Sequence, residues 1–152
     1  MPGISNKRQG SQFEAILYHA CIRSGIAIVR IEDGCMRTGT FKRFKLIPKK
    51  QPCDFIMAHQ GRSAAIDSKT IGQGKTFAYA SINASQVHSM NFLAEQGMIA
   101  GYLCWFRQID KLVFFTTKQL LACHPGTSLS IDEGLDLNTI EDPKLINLFR
   151  NA

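Results

Sequence analysis

The sequence lacks any long apolar run, since no stretch of its 152 residues approaches the roughly 20 apolar residues of a transmembrane helix. The opening MPGISNKRQG has no apolar core of the kind that a signal peptide carries. No internal repeat is visible. We therefore expect a soluble, cytoplasmic protein with no membrane partner.

Cysteines and histidines with metal-ligand spacing are also missing. The cysteines are odd in number, scattered and without CxxC spacing, at Cys21, Cys35, Cys53, Cys104 and Cys123. This pattern argues against both a disulfide framework and a zinc site. The four histidines, His19, His59, His88 and His124, show no zinc-ligand spacing either. We expect reduced, mostly buried thiols.

Acidic residues are absent from the most basic part of the chain. The net charge of +6 is concentrated in Arg37, Lys42, Arg43, Lys45, Lys49 and Lys50, whereas acids crowd the segment from about 125 to 152. The polar region from about 32 to 51 is predicted to be a loop or projecting arm that contacts phosphates, with Phe41 and Phe44 available for base stacking. The alternative is a solvated charged loop.

The length, a hydrophobic share of 45% and a charged share of 20% are typical of one globular domain spanning residues 1–152. Apolar periodicity predicts helices from Ser11 and from Asn83 to Gly97, and a short helix over Thr117–Cys123. Strands are predicted over Ile26–Ile31, Cys53–His59, Ser63–Thr70, Met98–Phe106 and Leu112–Phe115. This order indicates an α/β fold with a mixed sheet flanked by helices.

The predicted strands Cys53–His59 and Ser63–Thr70 carry the charged residues that could form an active site. A tight turn centred on Gln60 and Gly61 would place Asp54 opposite Asp67, and strand alternation would put Lys69 on the face of Asp67. Two opposed carboxylates repel each other unless something such as a divalent cation neutralises them. Two carboxylates and a lysine on one face are the groups needed for metal-assisted phosphodiester hydrolysis.

Structural interpretations of the same residues remain open at this point. Asp67 and Lys69 could be an exposed ion pair, and a shift of the turn centre by half a residue would put Asp54 on the other face. Glu14 could complete a metal shell or orient the lysine. It also fits the S-x-x-E capping box with Ser11, which would give it only a structural role at a helix start.

A family resemblance extends these motifs. The stretch from Pro52 to Lys69 resembles the PD-(D/E)xK signature, specifically that of the RecU family of Holliday junction resolvases. Further elements resemble that family over about residues 9–121: Gly10 to Glu14, Gly61-Arg62, Lys75-Thr76-Phe77, the Gln-bearing helix Asn83 to Gly97 and the strand pair Met98 to Phe115. Two features depart from the family: Asp67 stands where it usually has Glu, and the arm is shorter than its stalk.

The resemblance implies a restriction-endonuclease-like core in which Asp54, Asp67 and the backbone carbonyl of Ser68 bind Mg²⁺ or Mn²⁺. It implies that Lys69 is catalytic, that Glu14 is an accessory acid, and that a homodimer nicks two opposed strands of a four-way DNA junction. Arg62 and Lys75 join the basic arm as expected DNA contacts.

Other functions remain open. A restriction-like or repair endonuclease could act on non-junction DNA, and a recombination accessory protein could bind DNA without cutting it. Gly72 to Thr76 is similar to part of a phosphate-binding P-loop, but the first glycine of that motif would fall at Lys69. We therefore expect no nucleotide cofactor.

Overall fold

The computed structural model describes the backbone of residues 2–31, 34–40, 43–49 and 53–151, and the side chains of 10–31 and 53–151. Its elements in chain order are α1 (Pro2–Arg23), β1 (Ala27–Arg30), β2 (Gly34–Thr40), β3 (Arg43–Lys49), β4 (Phe55–His59), β5 (Arg62–Ile71), β6 (Thr76–Ala78), α2 (Ala84–Glu95), β7 (Ile99–Phe106), β8 (Lys111–Thr116), α3 (Thr117–Leu121), β9 (Ser128–Ser130), β10 (Leu135–Asp136) and α4 (Ile146–Asn151).

The architecture is the α/β fold with a mixed sheet that the sequence indicated. Six strands form one sheet in the order β1-β4-β5-β7-β8-β10, in which β5 and β7 are parallel and the other neighbours antiparallel. Two small sheets pair β2 with β3 and β6 with β9. Within the part of the chain that the structure describes, no helix is long and apolar enough to cross a membrane.

The β4–β5 hairpin has the register that the sequence predicted. Gln60 and Gly61 both take positive φ angles, of 47° and 80°, as the two central residues of a tight hairpin turn do. The turn pairs His59 with Arg62, and the ladder continues to the pair of Phe55 and Ile66. The predicted pairing of Asp54 with Asp67 does not continue this ladder, because the backbone N–H of Asp54 donates to the carbonyl of Ile66 at 3.0 Å and Asp54 lies outside β4.

The sheet has a core on each face because successive residues of β5 point to opposite sides. Ile66 packs with Phe13 and Leu17 of α1 on one face. Ala65 packs with Val87 and Met90 of α2 on the other. Asp67 lies on the α2 side by the same alternation, inside a layer of apolar side chains. This position removes the carboxylate from water.

Several elements differ from the sequence-based expectations. Helix α1 begins at Pro2 and not at Ser11, because the polar residues before Ser11 continue the helix. The region from about 32 to 51, expected to be a loop or projecting arm, holds the antiparallel strands β2 and β3. The acidic segment after Pro125 contains β9, β10 and α4, and it buries Leu137, Leu145 and Leu148 in the α1-side core.

Candidate active site

Asp67 is the buried centre of the candidate site. Asp67 is only 3% exposed, and two polar side chains lie beside its carboxylate. Gln86 Nε2 donates a hydrogen bond of 2.9 Å to Asp67 Oδ1. Lys69 Nζ forms an ion pair of 3.1 Å with Asp67 Oδ2. Apart from this ion pair, Oδ2 has no hydrogen-bond partner among the described residues.

Asp54 lies immediately before the start of β4, next to β5. Its Oδ2 accepts hydrogen bonds of 2.9 Å from both the backbone N–H and the hydroxyl of Ser68. In a strand, the N–H and C=O of one residue point to the same side. The carbonyl of Ser68 therefore also points toward the Asp54 side of β5, where the resemblance expects a metal-binding oxygen.

The electrostatics of Asp67 reflect its burial. Removal from water, with a further contribution from the nearby charge of Asp54, raises the pKa of the Asp67 carboxyl to about 6. The Lys69 ammonium lowers the pKa of Asp67, but by less than burial and Asp54 together raise it. The charge of Asp54 thus acts on the Asp67 carboxyl, although the two residues are not paired in the β4–β5 ladder.

Glu14 joins the site from the other face of the sheet. The capping-box interpretation is wrong, because Ser11 and Glu14 lie inside α1 and not at its start. Glu14 Oε2 instead forms an ion pair of 2.9 Å with Arg30 on β1. Partial burial and the charge of Asp54 raise the pKa of the Glu14 carboxyl, while Arg30 lowers it. The charge of Asp54 thus acts on the Glu14 carboxyl.

The structure adds Gln86 and Tyr102 to the site, neither of which the motifs had identified as a site residue. Asn83 caps α2 by accepting a hydrogen bond from the backbone N–H of Gln86, so Gln86 lies in the first turn. Tyr102 on β7 pairs directly with Asp67 in the parallel ladder and donates a hydrogen bond of 2.9 Å to Gln86 Oε1. The Gln-bearing helix of the family resemblance was the signal in the sequence that could have identified Gln86 as a site residue.

The expected DNA contacts lie at different distances from this site. Arg62 is at the opposite end of β5 from Lys69, and its guanidinium donates to the backbone carbonyl of Phe149 in α4. Lys75 is exposed, just beyond the end of β5. The side chains of the other six expected contacts fall outside the described residues: Arg37, Lys42, Arg43, Lys45, Lys49 and Lys50.

The donor set fits a hard divalent cation held by few protein ligands. In the described ranges, no three His, Cys, Asp or Glu side chains converge as a metal-binding group. Two carboxylates and a carbonyl are nevertheless the kind of partial oxygen shell that Mg²⁺ takes in phosphoryl-transfer sites, with water and phosphate supplying the rest. A cation would also satisfy Asp67 Oδ2, the buried oxygen without a hydrogen bond.

No protein-family model and no curated protein matches this chain. Among solved structures, the chain is similar to Hjc of Archaeoglobus fulgidus, a Holliday junction resolvase from an archaeal hyperthermophile. The similarity has a TM-score of 0.58 at 19% identity and covers 84% of this chain and 95% of that one. At this identity the similarity shows the fold alone: the mixed sheet flanked by helices that the sequence indicated is similar to the fold of that protein.

Proposed function

We propose that this protein is a metal-dependent endonuclease of the RecU type, which resolves four-way DNA junctions by hydrolysing one phosphodiester bond in each of two opposed strands. The observation that carries the proposal is the ion pair of Lys69 with the buried carboxylate of Asp67, whose Oδ2 accepts no hydrogen bond from a described residue and whose pKa the charge of Asp54 helps to raise. The similar fold of a Holliday junction resolvase supports the substrate class.

The residues that would hold the cation are Asp54, Asp67 and the carbonyl of Ser68. When bound, Mg²⁺ or Mn²⁺ neutralises charge on the reacting phosphate and lowers the pKa of the attacking water. Two hydrogen bonds from Ser68 orient the Asp54 carboxylate, and one from Gln86 orients Asp67. The protein thus fixes the oxygens before substrate arrives, which preserves the geometry that hydrolysis needs.

Lys69 is positioned to act on the phosphate. Its side chain is 34% exposed, while that of its partner Asp67 is 4% exposed, so the ammonium reaches from the buried carboxylate toward solvent. A cation at that place can donate hydrogen bonds to a phosphate oxygen and stabilise charge as it develops. Glu14 lies on the Asp54 side, where it can accept a proton from water or steady the cation as an accessory acid.

DNA would be held by phosphate contacts outside the catalytic centre. The basic residues of the β2–β3 region and Lys75 supply positive charge, which favours binding to phosphates with little sequence readout. A soluble, cytoplasmic homodimer with two-fold symmetry would offer one active site to each of the two equivalent strands of a junction. No nucleotide is part of this reaction scheme.

The proposal is tested with a labelled synthetic four-way junction and a linear duplex of the same sequence, each incubated with Mg²⁺, Mn²⁺ or chelator. The informative variants are Asp67→Asn and Lys69→Met. Matched controls come from the surface pair of Lys111 and Asp136, whose atoms are also 3.1 Å apart, as Lys111→Met and Asp136→Asn. The controls make the same chemical changes away from the site.

Paired symmetric nicks in the junction alone are expected, with loss in chelator and a fall of at least about 100-fold in both site variants, since each removes a charge that acts on the transition state. The controls should cleave like the native chain. Cleavage of both substrates would indicate a restriction-like or repair endonuclease. Tight binding without cleavage under either metal would indicate a DNA-binding accessory protein.

A further inference from the structure

Tyr102 is a fully buried tyrosine whose hydroxyl needs an explanation. Its ring lies in the α2-side core, with its centroid 5.6 Å from that of Phe77. A phenylalanine would supply the same apolar ring, and burial of a hydroxyl is unfavourable unless it finds a partner. The partner is Gln86, whose Oε1 accepts a hydrogen bond of 2.9 Å from the hydroxyl.

Gln86 is a long side chain held at both ends of its amide. The oxygen accepts from Tyr102, and the nitrogen donates to Asp67 Oδ1 at 2.9 Å. A glutamine held in one rotamer loses substantial side-chain entropy, so a single hydrogen bond to a carboxylate would orient it weakly. The second bond fixes the amide oxygen on Tyr102 and thereby directs the NH₂ group at Asp67.

The ring of Tyr102 faces the other charged group of the site. Lys69 Nζ lies 5.8 Å from the ring centroid, within the range of a cation–π contact. Lys69 and Asp67 are both on the α2 side of β5, and Tyr102 is the strand neighbour of Asp67 on β7. One residue thus contacts Lys69 directly and Asp67 through an amide, without reaching solvent or substrate itself.

We propose that Tyr102 is a positioning residue of the candidate active site: its hydroxyl anchors the Gln86 amide, which holds Asp67 by Oδ1 and leaves Oδ2 for Lys69 and a cation. This inference rests on the proposed nuclease function for its consequence, which is tighter cation binding. The anchoring of Gln86 is a property of the metal-free protein and can be measured separately.

The test compares Tyr102→Phe, Gln86→Ala and the double variant with the native chain. Tyr79→Phe is the matched control, because it removes a tyrosine hydroxyl at a residue outside the catalytic and binding machinery. Two quantities are measured on the full chain. The first is the NMR signal of the Gln86 side-chain NH₂ in metal-free protein, and the second is the affinity for Mn²⁺ by titration calorimetry.

Tyr102→Phe is expected to shift the Gln86 signal and to weaken Mn²⁺ binding roughly tenfold, the usual scale for residues behind the metal ligands. Gln86→Ala should weaken binding to a similar extent. The double variant should bind no more weakly than Gln86→Ala, because Tyr102 acts through that amide. Tyr79→Phe should leave both quantities at native values.

An unchanged Gln86 signal in Tyr102→Phe would overturn the inference. So would a tenfold decrease of affinity that persists when Tyr102→Phe is added to Gln86→Ala, since the hydroxyl would then act by another route. If the native chain binds no Mn²⁺ and cuts no DNA, the proposed function fails. In that case the Gln86 signal of the metal-free variants still decides whether Tyr102 anchors the amide.

Discussion

Lys69 Nζ and Asp67 Oδ2 are 3.1 Å apart, the same separation that joins Lys111 Nζ to Asp136 Oδ2 on the surface. The two pairs differ in burial, because the Asp67 side chain is 4% exposed and that of Asp136 is 63% exposed. Burial raises the pKa of Asp67, whereas the pKa of Asp136 is lowered, chiefly by a hydrogen bond from the backbone of Asn138. Only the first carboxylate is held in an unfavourable environment.

The first prediction follows from this burial: Asp67→Asn should make the metal-free protein more stable at pH 7.5. The pKa of Asp67 is about 6 when folded and near its usual 3.8 when unfolded, so the folded state binds its proton more tightly. The stability that protonation provides is fully present below about pH 4 and is lost as pH rises through 6. At about 1.4 kcal/mol for each pKa unit, the cost at pH 7.5 is up to about 3 kcal/mol.

Urea unfolding in chelator at pH 5 and pH 7.5 measures this cost. The gain in unfolding free energy from Asp67→Asn should be larger at pH 7.5 than at pH 5. Asp136→Asn, the same substitution at an exposed carboxylate, should give no gain at either pH. If Asp67→Asn instead lowers stability at pH 7.5, the carboxylate is held favourably in the metal-free protein and has no need of a cation to neutralise it.

Local patterns in the sequence were sufficient to predict β4 and β5, the strands next to the candidate site. Gln60-Gly61 has the residues of a tight hairpin turn, and the register that this turn predicts is observed from His59–Arg62 to Phe55–Ile66. It does not extend to Asp54, whose backbone N–H donates to Ile66. Helix α2 was equally clear, since Asn83 caps it and its apolar positions share a face. In both cases the signal comes from residues close together in the chain.

The structural predictions were wrong or incomplete where the sequence pattern was short or ambiguous. Ser11-x-x-Glu14 satisfies the capping box, but the preceding polar residues also form helix, so the start of α1 was misplaced. Strands of two or three residues, such as β9 and β10, cannot show a period. The link between Gln86 and Tyr102 joins a helix to a strand, and only the folded chain brings these residues together.

The second prediction concerns the basic residues of the β2–β3 region. Replacement of Lys42, Arg43 and Lys45 by alanine should weaken junction binding and reduce the slope of log affinity against log salt by about 0.9 for each phosphate that the protein no longer neutralises. Affinity for Mn²⁺ should not change, since the oxygens that we propose as metal ligands lie on β5 and just before β4. Fluorescence anisotropy with a labelled junction at several salt concentrations measures the slope.

A triple variant of equal charge change provides the control. Lys118, Lys144 and Arg150 are exposed residues of α3, the segment before α4, and α4 itself. Alanine at these three positions should leave the salt slope near its native value. An equal decrease of affinity in the two triple variants would mean that binding follows net charge, and the DNA-contacting role of the β2–β3 region would then be wrong.

The third prediction is that the acidic C-terminal segment is part of the folding unit. Leu148 of α4 is fully buried, and it packs in the same core as Phe13 and Ile66. The carbonyl of its neighbour Phe149 accepts a hydrogen bond from Arg62 on β5. Leu148→Ala should therefore cost about 3 kcal/mol of unfolding free energy, the usual scale for a leucine truncated in a core.

Urea unfolding should show this destabilisation as one cooperative transition at lower denaturant, because a segment docked in the sheet's core unfolds with it. Leu121→Ala is the matched control: Leu121 is 39% exposed, so its truncation should cost well under half as much. If both variants unfold like the native chain, α4 does not stabilise the domain. The prediction of a single domain over residues 1–152 would then be wrong for α4.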